Sequence, residues 1–416
     1  LLVRGVNHFV PHAFDDQFPD SDCPPHFYAN GQNPQFSGFT QLMHYVNRAA
    51  HLLSGADMEA SGAILYHAEA AWMDADAMLM QKPAKVCYDA HISYDIVPMD
   101  YLKSAETRDG KFGRGYRYLI VPACKQLSPC FTEIAARLRR AGVPIFFINE
   151  APAGVNACPE ELVPLAQIAS RILAQHLAHD YQTSARLLRI AKFTRDELTV
   201  FFLFNESLQT VQTTLQLPVC GQYIAADFLN EQYVRDEAAQ GEVTVELAAG
   251  QSVLLVFGGV SQEEWLAFPA KQDKLHTQIL DVQWDIDLRE TGREENFRPL
   301  RRKSKLFNIT GLEDEREFSG EIRYRTTINL EKAERMVLNI EHVGMTACLF
   351  ANGRDLGQRI CAPYCWDIAD AVRNGENEIE VLAANTLVQR MQDRLSSYMA
   401  IPASGLTGNV TLSVTQ

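Results

Sequence analysis

Residues 118–148 have the sequence YLIVPACKQLSPCFTEIAARLRRAGVPIFFI, and this stretch decides the fold of the first half of the chain. Two short apolar runs enclose residues 131–141, where apolar side chains recur at helical spacing until Gly142 ends the helix. Runs of this kind lie at 63–66, 94–97, 118–121 and 145–148. Buried parallel strands that alternate with helices are typical of doubly wound sheets. The pattern therefore predicts an α/β domain over residues 59–182.

The period of the pattern changes after residue 182. Short strands recur at roughly ten-residue spacing, which predicts a small antiparallel β domain over residues 183–258. These strands lie at 198–204, 213–217, 223–229, 243–247 and 253–257. After a connector that begins at residue 259, strand patterns resume at 281–286, 322–330, 336–340, 347–350, 378–382 and 409–414. They predict a β-sandwich in which Asn352-Gly353 forms a tight hairpin turn.

Residues 1–58 combine a strand-like start, a long loop and one helix. Leu1 to Val6 has the composition of a strand. The helix is expected to begin near Ser37, a good N-cap, and to end at Gly55. One strand and one helix cannot bury a core of their own. We therefore expect this region to be the truncated end of a larger domain, and the chain to be part of a longer polypeptide.

The charge balance and the cysteines restrict the class of protein. The 416 residues carry 52 acidic and 38 basic side chains, a net charge of −14, so neither a nucleic acid nor an anionic membrane is a predicted partner. The chain has nine cysteines, an odd number, and none of them form a CxxC pair. This favours free thiols in a reducing compartment. Without an apolar run of ~18 residues or a signal-peptide pattern, the sequence predicts a cytoplasmic protein.

The loop after the first predicted strand carries the densest mixture of polar and aromatic residues in the chain. Aromatic faces stack on pyranose rings, while carboxylate, amide and imidazole groups bond hydroxyls. This mixture is typical of a sugar site at the position where barrel enzymes contact substrate. The candidate substrate-binding residues in this loop are Asn7, His8, His12, Asp15, His26 and Tyr28. The alternative is a proline-rich surface cover whose histidines cap backbone groups.

Four carboxylates of the same loop, Asp15, Asp16, Asp20 and Asp22, raise the question of a hard cation such as Ca²⁺. Their spacing matches no EF-hand loop, so we favour solvated surface carboxylates and leave the presence of a metal open. No glycine-rich phosphate-binding motif follows any predicted strand. The sequence therefore predicts no cofactor.

Cys124 follows a strand of the α/β domain, and His67 and His91 lie in the same domain, so a Cys/His amidotransferase site must be considered. The sharp turn that presents such a nucleophile needs flanking glycines, and residues 121–125 (VPACK) contain none. We therefore interpret Cys124 as a small buried hydrophobic residue.

In the last domain, Tyr364 and Trp366 are two residues apart, so an extended chain would place both side chains on one face. Together with Asp367 they could line a sugar groove, in which Trp366 is the candidate binding residue. Hydrogen bonds to the sugar would come from Asn352, Asn385 and Arg390. The alternative, which we favour, is that the aromatic pair packs in a core or against a neighbouring domain.

Several of these segments resemble large bacterial glycoside hydrolases. Residues 4–14 (RGVNHFVPHAF), 24–28 (PPHFY) and 43–55 are similar to the end of the catalytic (β/α)₈ barrel of enzymes related to family 106 α-L-rhamnosidases and family 2 β-glycosidases. The α/β stretch resembles the flavodoxin-like, amidotransferase-like domain that follows such barrels in some β-galactosidases and lacks amidotransferase chemistry. The last hundred or so residues resemble the family 2 sugar-binding jelly roll, which is galactose-binding-like. The matching segments are 347–353, 363–364, 366–368, 375–381 and 404–408.

The resemblance implies that the catalytic carboxylates lie upstream, because such enzymes carry them largely on earlier barrel strands. The chain would then be the C-terminal portion of a hydrolase of plant or bacterial oligosaccharides, with no catalytic residue of its own, and inactive alone. Its domains would be a barrel end (1–58), the α/β domain (59–182), the small β domain (183–258) and the connector with the jelly roll (259–416). The alternative is a non-catalytic carbohydrate-binding module or an assembly module whose α/β domain forms a homo-oligomer interface.

Overall fold

The computed structural model describes residues 1–12, 14, 16–19, 26–73, 76–178, 181, 183–271, 275–293, 295–391 and 401–415. Within them, the first half contains one parallel sheet and the second half contains antiparallel sheets. This agrees with the predicted combination of an α/β part and an all-β part. None of the described helices is long and apolar enough to span a membrane.

The N-terminal region differs from its prediction at the first element. Leu2–Arg4 is a short 3-10 helix that Gly5 ends at φ 86°, so the predicted opening strand is wrong. Leu2 and Val3 both pack into one hydrophobic cluster, whereas neighbours in a strand point to opposite faces. A second 3-10 helix, Ala29–Gly31, precedes the predicted long helix α1, Phe36–Leu53.

The start of α1 is capped differently from the prediction. The N-cap position is Gln35, and the hydroxyl of Ser37 accepts a hydrogen bond from Gln358 Nε2 at 3.1 Å. Gly55 follows the helix with φ 74°, in agreement with its predicted role. The side chain of Ser37 therefore joins α1 to the sandwich instead of closing the helix end.

The parallel sheet contains all four strands predicted for it and one more. In chain order, after β1 (Asp57–Met58), the elements are β2 Gly62–Tyr66, α2 Ala68–Trp72, α3 Gln81–Asp89, β3 Tyr94–Pro98, α4 Met99–Ser104, the hairpin β4 Thr107–Arg108 and β5 Lys111–Phe112, β6 Leu119–Val121, α5 Cys130–Arg140, β7 Ile145–Ile148, β8 Leu162–Val163 and α6 Ile168–Ala174. Short 3-10 turns lie at Pro159–Glu161 and Leu165–Gln167. The sheet order is β3-β2-β6-β7-β8, with parallel pairing throughout.

Both faces of this sheet are covered. Along β2, Ala63 and Leu65 pack into one hydrophobic cluster and Ile64 packs into another. Since successive side chains of a strand point to opposite faces, a strand buried on both faces must be apolar at every position. This is why β2, β6 and β7 were recognisable in the sequence as continuous apolar runs.

The next part of the chain forms a six-stranded antiparallel sheet and a two-stranded sheet. Its strands are β9 Leu188–Arg195, β10 Leu198–Asn205, β11 Val211–Gln216, β12 Gly221–Asp227, β13 Gln232–Ala238, β14 Glu242–Leu247 and β15 Ser252–Phe257. The large sheet has the order β1-β9-β10-β15-β12-β13, and β11 pairs with β14. The five strands predicted here are present, and β9 and β13 were missed. The boundaries of the domains stay a prediction.

The last part is built from two facing antiparallel sheets with one core between them. Its elements are α7 Gln262–Ala267, β16 His276–Ile279, β17 Trp284–Glu290, β18 Arg298–Ser304, β19 Gly320–Leu330, β20 Met336–Val343, β21 Thr346–Ala351, β22 Arg354–Arg359, β23 Tyr364–Asp367, β24 Gly375–Ala384, α8 Val388–Met391 and β25 Leu406–Val414, with 3-10 turns at Ile309–Gly311 and Glu313–Glu315. The sheet orders are β16-β25-β20-β23 and β18-β17-β19-β24-β21-β22. Asn352 and Gly353, at φ 50° and 80°, form the predicted turn between β21 and β22.

Three parts of the chain meet at Tyr88, on α3. The guanidinium carbon of Arg189, on β9, lies 3.8 Å from the centre of the Tyr88 ring, and that of Arg4 lies 5.0 Å from it. The Tyr88 hydroxyl donates to Glu206 at 2.8 Å, and Arg189 also binds Glu206, at 2.6 Å. One charged network therefore joins the N-terminal 3-10 helix, the parallel sheet's α3 and the antiparallel sheet.

Candidate functional site

Five aromatic rings around the start of α1 form an aromatic cluster, which consists of Phe14, Phe27, Tyr28, Phe36 and Phe39. The rings of Phe14 and Tyr28 are stacked, with centres 5.4 Å apart and planes 4° from parallel. Tyr28 meets the edge of Phe36 at 4.9 Å, and Phe27 lies 4.9 Å from Phe39. Helical spacing places Phe36 and Phe39 on one side of α1. Phe14 is 57% exposed, so the cluster presents one aromatic side chain to solvent.

The turn that carries Tyr28 into α1 has an uncommon backbone. His26, Ala29 and Asn30 have φ values of 53°, 50° and 48°, in the left-handed region that residues other than glycine rarely occupy. Asn33 supports this turn, because its Nδ2 donates to the carbonyl oxygens of His26 at 3.1 Å and Phe27 at 3.2 Å. Backbone strain of this kind persists only where surrounding contacts enforce it, and it concentrates at ligand sites. The strained turn, residues 26–31, therefore marks this loop as the candidate site.

The structure separates the predicted site residues of the loop into two groups. Asn7, His8 and His12 are exposed, and their side chains are open to a ligand. Tyr28 is half-buried beneath Phe14.

His26 is only 2% exposed, so protein encloses its ring in this conformation of the loop, and its contact with a sugar stays a prediction. Its ring packs at 6.3 Å from Phe18, edge to face. Asp15 lies outside the described residues, as do Asp20 and Asp22. The described residues contain no group of three or more His, Cys, Asp or Glu side chains that could hold a metal ion. The calcium hypothesis, which depends on the undescribed aspartates, stays untested.

The structure places Trp366, the candidate sugar-binding residue of the last domain, away from solvent. Tyr364 and Trp366 do share a face of β23, but that face is the core of the sandwich, and Trp366 is 1% exposed. The indole N–H of Trp366 donates to the carbonyl of Gly357 at 2.7 Å, and the Tyr364 hydroxyl donates to that of Met345 at 2.6 Å. The aromatic pair therefore packs within its own domain, and not against a neighbouring one.

The amides predicted to assist Trp366 are also engaged in the structure of the sandwich. The carboxamide of Asn385 is buried and bonds the backbone of Phe318 and Gly320. Asn352 bonds Asn377 and the backbone of Glu378. These contacts fix the turns of the sandwich, so neither amide is available to a sugar.

The parallel sheet offers no reactive thiolate at Cys124. Burial raises the pKa of Cys124 to about 11, and burial lowers the pKa of His67. Near neutral pH the thiol is thus protonated, and the thiolate is the reactive form. The ring of His91 is used elsewhere, since its Nε2 lies 2.7 Å from the carbonyl of Leu188. The amidotransferase hypothesis has no support from this geometry.

Sequence reasoning missed how the sandwich reaches the candidate site. Arg390, predicted as a sugar contact, instead binds the side chain of Gln32 at 3.2 Å, next to the strained turn. The two residues are 358 positions apart, and no local pattern relates them.

Comparison with solved structures finds a rhamnosidase from Novosphingobium sp. PP1Y that is similar to this chain, with a TM-score of 0.65 and 17% identity. The similarity covers 92% of this chain and 41% of the rhamnosidase, so the chain spans about two fifths of that protein. At this identity the match shows a shared fold over nearly the whole chain.

Two further neighbours are similar over much shorter parts. A β-glucuronidase from an uncultured Clostridium sp. is 19% identical, with 36% of this chain and 30% of that one covered and a TM-score of 0.26. A GH2 β-galacturonidase from Eisenbergiella tayi is 16% identical, with 35% and 25% covered and a TM-score of 0.27. Scores this low carry no argument about fold. No family model and no curated protein sequence matches the chain.

Proposed function

We propose that this chain is the C-terminal portion of a glycoside hydrolase and that the aromatic cluster belongs to its substrate loop. The observation that carries the proposal is the fold shared with a rhamnosidase over 92% of the chain. The aromatic cluster supports it, since the exposed ring of Phe14, stacked on Tyr28 of the strained turn, suits the face of a pyranose. The substrate class that we propose is an α-L-rhamnoside of a plant or bacterial oligosaccharide.

Two assignments of fold accompany this proposal. The parallel sheet is taken as flavodoxin-like, because its strand order in chain sequence is 2-1-3-4-5, the order of that class. The final two-sheet sandwich is taken as a galactose-binding-like jelly roll, a domain with an architectural role here, because its aromatic pair is buried in its own core. We also propose a cytoplasmic location, which is supported by the eight free thiols among the described cysteines.

In the proposed mechanism the residues of this chain bind and orient the sugar, and two carboxylates upstream of it perform the acid and base steps. Phe14 would stack on the apolar face of the ring. Asn7, His8 and His12, all exposed on the same N-terminal segment, would donate or accept hydrogen bonds at its hydroxyls.

The test compares this chain with the product of its reading frame extended upstream, on 4-nitrophenyl α-L-rhamnopyranoside. We expect hydrolysis by the extended protein only. Hydrolysis by the 416 residues alone, at a rate typical of enzymes, would overturn the upstream placement of the carboxylates. If the extended protein binds L-rhamnose but hydrolyses no aryl glycoside, the function is that of a carbohydrate-binding module.

A variant pair tests the role of the aromatic cluster. Phe14→Ala should weaken L-rhamnose binding, measured by calorimetry, about tenfold, because it removes the exposed stacking face. The matched control is Trp72→Ala, which removes an exposed aromatic side chain from the parallel-sheet part, where 82% of Trp72 is accessible. Equal affinity of the two variants would refute a role for the cluster in sugar binding.

A further inference from the structure

The sandwich holds the residue that follows the strained turn. Arg390 Nη1 donates to Gln32 Oε1 at 3.2 Å, while Nη2 donates to the carbonyls of Thr291 at 3.2 Å and Ser319 at 3.0 Å. Glu290 completes the set as an ion pair at 2.9 Å. Only 7% of the Arg390 side chain is exposed. Contacts within the sandwich therefore fix the position of the guanidinium that binds Gln32.

Gly292 adds a steric contact to the polar one. It has φ 74°, and a Cβ placed on it would lie 2.7 Å from Cγ of Gln32. Only glycine therefore fits at this position, on grounds of both conformation and space. We name Arg390, Gly292 and the residues that hold the Arg390 guanidinium the Gln32 socket, which thus comprises Glu290, Thr291, Gly292, Ser319 and Arg390.

The sandwich also contacts the first turns of α1, the helix that carries Phe36 and Phe39. Gln358 Nε2 donates to the Ser37 hydroxyl at 3.1 Å. The backbone carbonyl of Gln358 accepts a hydrogen bond from Gln41 Nε2 at 3.1 Å. The same Gln41 amide donates to Leu229 of the antiparallel sheet at 3.1 Å. The segment that contains Phe36 and Phe39 is thus anchored at the Gln32 socket and again on the first turns of α1.

We propose that Arg390 is a positioning residue for the substrate loop, and that the sandwich serves the sugar site by holding the aromatic cluster in its binding geometry through the Gln32 socket. This inference rests on the proposed function. A turn with three left-handed non-glycine residues is unfavourable alone, so contacts outside it must hold it. A loop that is ordered before the sugar arrives does not lose that freedom on binding, which increases affinity.

The test combines hydrogen exchange with sugar binding in Gln32→Ala and Arg390→Lys. Gln32→Ala removes the contact without leaving a new buried charge, and Arg390→Lys keeps the charge but loses the planar fork of donors. Both variants should speed amide exchange in residues 26–36 at least about tenfold, because each loses one charge-assisted hydrogen bond. We expect the smaller increase in Arg390→Lys. Exchange in residues 62–66 of the parallel sheet should not change. The matched control is Arg316→Ala, at an exposed arginine of the same sandwich.

L-Rhamnose binding, measured by calorimetry, completes the test. We expect the dissociation constant to rise at least about fivefold in Gln32→Ala, less in Arg390→Lys, and not in Arg316→Ala. Unchanged exchange in residues 26–36, or faster exchange with unchanged affinity, would overturn the inference. If exchange changes as expected but the wild-type chain binds neither L-rhamnose nor 4-nitrophenyl α-L-rhamnopyranoside, the proposed function fails while the socket's hold on the loop is supported.

Discussion

Replacement of Arg189 by methionine should weaken the contact between the three parts of the chain that meet at Tyr88 and so lower the stability of the protein. Arg189 is 5% exposed at its side chain, binds Glu206 at 2.6 Å and covers the Tyr88 ring at 3.8 Å. Methionine retains much of the volume but none of the donors. Because Glu206 keeps Arg4 as a partner at 2.7 Å, the loss is smaller than that of a fully orphaned buried charge.

The expected loss follows from these contacts. A hydrogen bond to a charged group contributes about 2 kcal/mol and a desolvated cation–π contact about 1 kcal/mol, so the free energy of unfolding should fall by about 3 kcal/mol. For a cooperative unit of about 150–250 residues this lowers Tm by roughly 6–12 °C, which scanning calorimetry measures. Arg186→Met is the matched control, since Arg186 is 71% exposed and makes an ion pair with Asp89 that contributes less than about 1 kcal/mol. Equal shifts in Tm for the two variants would refute this account.

The pH dependence gives the same prediction an independent measurement. Burial alone would raise the pKa of Glu206, but hydrogen bonds from Arg189 and Tyr88 outweigh it and hold that pKa below its ordinary value. A depressed carboxyl pKa contributes stability above the unfolded value of about 4.3, and this stability is lost as the pH falls through the folded pKa. Wild-type Tm should therefore drop more steeply than that of Arg189→Met between about pH 5 and pH 3. Parallel curves would show that the ion pair does not act as described.

Two further predictions concern the sandwich and the parallel sheet. Trp366→Ala should lower the free energy of unfolding by about 3–5 kcal/mol, because a fully buried indole is lost, and should leave the affinity for L-rhamnose unchanged. Loss of L-rhamnose binding at an unchanged Tm would instead identify Trp366 as a ligand residue. Cys124, with its pKa raised to about 11, should react with iodoacetamide at pH 7 far more slowly than the exposed Cys158, as followed by mass spectrometry. Faster labelling of Cys124 would contradict its burial.

The inner strands of the parallel sheet, β2, β6 and β7, were predictable because they are buried on both faces. A strand covered on both faces needs apolar residues throughout, and β2 and β7 show this in the sequence. The same composition misled at Leu2–Arg4, where two adjacent apolar residues pack into one cluster as a single helical turn. Over six residues, an apolar run does not distinguish a strand from a helical turn.

At the candidate site, the mixture of aromatic and polar residues in the N-terminal loop was visible in the sequence, and the structure brings Phe14, Tyr28 and Phe36 together. The assignment of individual roles depended on burial. His26 and Trp366 have side chains that suit a sugar, yet both are enclosed by protein. Residue type reports which contacts a side chain can make, and only packing decides whether a ligand can reach it.

The sequence by itself determined the succession of parallel strands, short antiparallel strands and sandwich strands, because each depends on a local period of apolar residues that the chain carries wherever it is placed. The tertiary structure alone decided that Gln32 meets Arg390 and Gly292, since Gln32 and Arg390 are 358 positions apart and no local pattern relates either pair. Periodicity records which face of an element is apolar, but polar contacts between distant surfaces leave no periodic trace. The contacts between the sandwich and the segment that carries the aromatic cluster therefore exist only in the folded chain.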